Sequence, residues 1–104
     1  VGVVGTELTR EEAQAAARAA ALDVLATVRA AAGSLDAVAA VVKLTGFVRS
    51  APGFTEQPFV VNGASDLFVE VFGADVGRHA RSAVGVSQLP LGAAVELEAI
   101  FELR

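Results

Sequence analysis

The chain has 104 residues, 54% of them hydrophobic, and a formal net charge of −4. That length suits one domain, residues 1–104, and excludes two. The acidic balance argues against nucleic acid as a main partner, because phosphate binding needs a basic footprint. Arg10, Arg18, Arg29, Arg49, Arg78, Arg81 and Arg104 are spread singly along the chain instead. With no cysteine there is no disulfide, thiolate metal site or cysteine nucleophile. One histidine, His79, is too little for a protein-only zinc site, so no metal is expected.

Mean hydropathy is high, at +0.57. No apolar run reaches the roughly 18 residues of a membrane span; Asp36, Lys43, Arg49, Glu56 and Asp66 interrupt every candidate. Excess apolar surface without a membrane partner predicts an oligomer, whose contacts hide what one small core cannot. No secretory leader is visible, so a cytoplasmic location is expected. Val1-Gly2-Val3-Val4-Gly5 reads as the middle of a longer sequence, and further residues upstream are expected.

In chain order, Thr9-Arg10-Glu11-Glu12 forms a capping box. It predicts a helix to about Ala32, with Gly33 to end it. Ala13, Ala17, Ala20, Val24, Val28 and Ala31 share one face at helical spacing. Residues 38–48 then read as a strand, apolar with little alternation and therefore covered on both faces. Ser50-Ala51-Pro52-Gly53 is a loop. A second helix is predicted from near Thr55 to Phe72, with Pro58 in its first turn. Its buried face is predicted to be Val60, Ala64, Leu67, Phe68 and Val71. Residues 73–77 read as a loop, followed by strands at about 81–88 and 93–103. The order helix, strand, helix, strand, strand predicts an α+β domain: a mixed sheet with both helices on one face. The other face then needs cover, and a second copy of the chain is the expected cover.

Three groups of residues are candidates for chemistry. Arg81 opens a strand, a rigid platform from which a guanidinium can grip a carboxylate with two parallel hydrogen bonds. Ala83 and Gly85 share its face and leave a hollow beside it. Glu96, Glu98 and Glu102 line one face of the last strand, where one could be partly desolvated and handle a proton, or all could be ordinary solvated side chains. If the last two strands form a simple hairpin about residues 89–92, Arg81 faces Ile100. Glu96 then lies about 13 Å away, so a bulge, a twist or a subunit boundary must bring the two together. Asn62-Gly63 places two poor helix formers inside the second helix, either a local irregularity or a functional feature. His79 reads as a loop residue. Ser82 and Ser87 have no partner for nucleophilic activation beyond it.

The order of several segments resembles the YjgF/RidA reactive-intermediate deaminases. They are Gly33-Ser34-Leu35-Asp36, Val41-Val42-Lys43-Leu44-Thr45-Gly46-Phe47-Val48, Asn62, Ala80-Arg81-Ser82, Leu89-Pro90 and Val95-Glu96-Leu97-Glu98-Ala99-Ile100. The stretch from Gly53 to Asp66 is similar to a longer branch of that family, described as endoribonuclease or chorismate-mutase-like. The resemblance implies a chorismate-mutase-like fold and a homotrimer with ligand clefts between subunits. It implies hydrolysis of enamines and imines of the 2-aminoacrylate type to 2-oxo acids and ammonia, without a cofactor. Arg81 would hold the substrate carboxylate, Glu96 would position the water, and the backbone carbonyl of Ala83 and the side chain of Asn62 would complete the site. A β-hairpin that the family carries before the first helix has no counterpart here, so the domain is expected to be N-terminally incomplete. Non-catalytic binding of small carboxylates and ribonuclease activity are the alternatives.

Overall fold

A computed structural model describes residues Val1–Arg104. Helix α1 spans Arg10–Ala32, strand β1 Val38–Arg49, helix α2 Gln57–Gly77, strand β2 Ala80–Val86 and strand β3 Val95–Leu103. The start of α1 is the predicted capping box: Thr9 accepts from the Glu12 backbone N–H, and the Glu12 carboxylate accepts from that of Thr9. Gly33 closes the helix in the left-handed conformation. The buried stripe is Ala13, Ala17, Ala21 and Leu25. It therefore runs one residue beyond the predicted Ala20 and Val24, which are only half-buried, and Ala31 is exposed.

The sheet order is β2-β1-β3. Strand β2 runs parallel to β1, and β3 antiparallel to it. The expected β2–β3 hairpin is therefore wrong. Arg81 faces Leu44, and Ile100 faces Lys43. The reason is the nature of β1. A hairpin would leave this most apolar strand at an edge with an unpaired ladder. Placed centrally, it is bonded on both sides and covered by helices on one face, not on both as its apolar run predicts. The β1-α2-β2 crossover supplies the parallel partner. The connection after β2 then passes the end of β1, where Ser50 N–H donates to Val86 O and Arg49 N–H to Ala94 O. Val4 adds a short parallel bridge beside Ser50 and is fully buried.

Both helices pack on one face of the sheet, α1 against β3 and α2 against β1 and β2. The core joins Val41, Leu44 and Val48 of β1 to Ala13, Ala17, Val60, Val61, Ala64 and Phe68 of the helices. Register shifts at 38–40 and 41–43 interrupt β1. These bulges account for its poor alternation: Val38, Val41, Leu44 and Val48 point inward, while Val42 is 47% exposed on the outer side.

The second helix turns near its end. Gly73 sits at φ 81°, ψ 168°, between two helical stretches. An L side chain is strained at that φ, so glycine lets the chain turn and continue helically to Gly77. The predicted loop at 73–77 is thus mostly a helical turn. Val71, placed in the core by periodicity, is 43% exposed.

Candidate functional site

Arg81 is the second residue of β2, an edge strand. Side chains in register on adjacent strands point to the same face, so Arg81, opposite the buried Leu44, lies on the helix side. There its Nη1 donates to Asn62 Oδ1 at 2.6 Å and to Ser65 Oγ at 3.3 Å. Asn62 and Ser65 are three residues apart on α2 and so share one helical face. Ser65 Oγ lies 2.9 Å from His79 Nε2, and His79 Nδ1 lies 2.6 Å from Gly77 O. The His79 ring also meets Phe68 edge-on, with centroids 5.9 Å apart.

This cluster joins two residues singled out from the sequence, Asn62 and Arg81, to Ser65 and His79. Sequence reasoning missed Ser65 and assigned His79 to a plain loop. A signal was present: Asn62 and Ser65 are a polar pair at helical spacing beside the apolar Val61, Ala64 and Phe68.

Glu96 is not part of the cluster. It faces Phe47, three positions along and two strands across from Arg81, roughly 14 Å between Cα atoms at ordinary strand spacings. It also projects from the opposite face, since its neighbours Val95 and Leu97 pack against the core while Glu96 is exposed. Glu98, opposite Thr45, and Glu102 share that outer face. So do Lys43 and Ile100, which with Thr45, Glu98 and Ala99 line a depression of about 360 Å³. Ala83 is half-buried on the helix side, opposite Gly46.

Arg81 makes no ion pair within the chain; the three salt bridges are Arg10–Glu11, Arg10–Glu56 and Arg18–Glu70. It is an exposed cation whose Nη1 is held and whose Nε and Nη2 have no protein acceptor. Those two atoms form the side-on fork that matches a carboxylate. No three His, Asp or Glu side chains gather where they could hold a metal ion. No helix is long and apolar enough to cross a membrane.

A family model described as "YjgF/chorismate_mutase-like, putative endoribonuclease" matches residues 1–103. The chain belongs to the YjgF family. "Protein TCP17" of Trypanosoma cruzi is 62% identical over 103 residues, covering 99% of this chain and 64% of that protein. Two solved structures of the YjgF fold superpose with a TM-score of 0.94. One is protein Atu1372 "with unknown function" from Agrobacterium tumefaciens, at 48% identity over 98% of this chain and 65% of that one. The other is "a putative endoribonuclease" from Shewanella oneidensis MR-1, at 32% identity over 98% and 67%. The chain thus spans a little under two thirds of TCP17 and of Atu1372.

Proposed function

We propose that this YjgF-family chain hydrolyses reactive enamines and imines of the 2-aminoacrylate type to 2-oxo acids and ammonia, in clefts between the copies of a homotrimer. The observation that carries this reading is the state of Arg81. Two hydrogen bonds hold its Nη1 end, while Nε and Nη2 of this exposed side chain have no protein acceptor. A small carboxylate fits that fork with two parallel charge-assisted bonds.

With the substrate held there, water adds to the imine carbon. The resulting carbinolamine expels ammonia and leaves the 2-oxo acid. Glu96 and the Ala83 carbonyl take the roles that the family resemblance gives them, orienting that water and handling its proton. Glu96 leaves the opposite face of its own sheet, so it serves an Arg81 of another copy. Assembly is therefore a condition of catalysis in this reading. The outer face offers Val42, Val84 and Ile100 as exposed apolar contacts for it.

The separation of Arg81 from Glu96 favours a second reading, a non-catalytic carboxylate-binding module, which needs only Arg81. Cleavage of RNA, the activity in the name of the Shewanella protein, sits poorly with a net charge of −4. The test is 2-oxo acid release from freshly generated 2-aminoacrylate by wild type, Arg81→Ala and Glu96→Gln. The expected result is loss in both variants. Equal rates in all three would end the deaminase proposal, and carboxylate binding without turnover would leave the module.

A further inference from the structure

We propose that Ser65 and His79 are positioning residues for Arg81, aiming its free fork at the carboxylate; this rests on the carboxylate-binding reading above. Each link of the chain dictates the next. A carbonyl only accepts, so His79 Nδ1, 2.6 Å from Gly77 O, carries the ring proton. When the ring is neutral, its Nε2 is then bare and accepts the Ser65 hydroxyl, 2.9 Å away. That bond uses the only hydrogen on Ser65 Oγ and turns its lone pairs to Arg81 Nη1, 3.3 Å away. Asn62 Oδ1 takes the other Nη1 hydrogen. The guanidinium can neither rotate nor turn its fork inward without breaking this sequence of bonds.

The fold builds the far end of the chain deliberately. Phe68 holds the imidazole edge-on. The turn at Gly73 folds the last stretch of α2 back, so that Gly77 packs close to the stretch before the turn and a Cβ there would lie 2.6 Å from Phe68 O. A fork fixed before the ligand arrives loses less side-chain freedom on binding, which is the advantage of a supported site.

His79 is the only histidine, so labelled protein gives a single pair of imidazole nitrogen resonances. The experiment titrates pyruvate, a 2-oxo acid, into wild type, Arg81→Ala, Ser65→Ala, Ser65→Thr and His79→Ala, each checked for native circular dichroism. In the wild type, Nδ1 is expected to be protonated and Nε2 bare, with Nε2 shifting as pyruvate binds. Ser65→Ala and His79→Ala should each weaken binding about tenfold, the scale of one hydrogen bond to a charged group. Ser65→Thr, which keeps the hydroxyl, should bind like wild type. Unchanged affinity in Ser65→Ala, or an Nε2-protonated tautomer, would overturn the positioning role while Arg81-dependent binding kept the carboxylate reading. Pyruvate that fails to bind wild type, or binds Arg81→Ala equally, would overturn that reading and the positioning role with it.

Discussion

Asn62 Oδ1 accepts from Arg81 Nη1 at 2.6 Å and so ties an edge strand to the helix above it. Replacing this neutral acceptor by a carboxylate tests what the contact is for. Asn62→Asp keeps the size and the hydrogen bond but pairs the guanidinium with a charge of its own. Carboxylate binding should fall by tenfold or more, while unfolding stability changes by less than about 1 kcal/mol, because the pair is exposed. Pyruvate titration and urea unfolding on the same variant separate the two effects. A variant that bound pyruvate normally would show that Arg81 is not the clamp.

Gly63 is set by packing. A Cβ at that position would lie 2.2 Å from the carbonyl oxygen of Gln14 on α1, a backbone atom that cannot swing away. Gly63→Ala must push the helices apart, although alanine is the better helix former. The expected loss is about 1–3 kcal/mol, read as a lower urea midpoint with an unchanged slope.

The first turn of α1 carries a small pH dependence. Hydrogen bonding to Arg10 is the main cause that holds the Glu11 carboxyl below its ordinary value. A group depressed in the folded state contributes stability above its unfolded pKa, and that contribution fades as pH falls through the folded value. Glu11 is fully solvated, so the effect is minor. Arg10→Ala should move the Glu11 titration, followed by carboxyl NMR, upward toward the ordinary carboxylate range. An unmoved midpoint would remove Arg10 as the cause.

The outer face carries the assembly expectation. Ile100 is 57% exposed there, beside Lys43 and Glu98. Ile100→Glu removes no core contact, so the monomer should stay folded. If this face joins copies of the chain, sedimentation should show the variant shifted to monomers while its circular dichroism matches wild type. A trimer undisturbed by Ile100→Glu would move the interface elsewhere.

Much of this protein is determined locally. The capping box at Thr9, the stop at Gly33, the tolerance of Pro58 at the start of α2 and the alternation of residues 95–102 depend on neighbours within four residues. They are therefore legible in the chain, and so are the α+β class and the helix-covered sheet. Arg81 and Asn62 stand out for equally local reasons: a charge at a strand end, and a poor helix former inside a helix.

Strand order was not legible, because proximity in sequence favours a β2–β3 hairpin, whereas burial favours β1 in the middle. That choice is made by competition between distant segments for the core. It sends Arg81 and Glu96 to opposite faces of one sheet. It also brings Ser65 and His79, fourteen positions apart, to 2.9 Å. No spacing rule reaches across the turn at Gly73 to predict that contact. The residues alone determined which side chains could bind a carboxylate; only tertiary packing decided which of them meet.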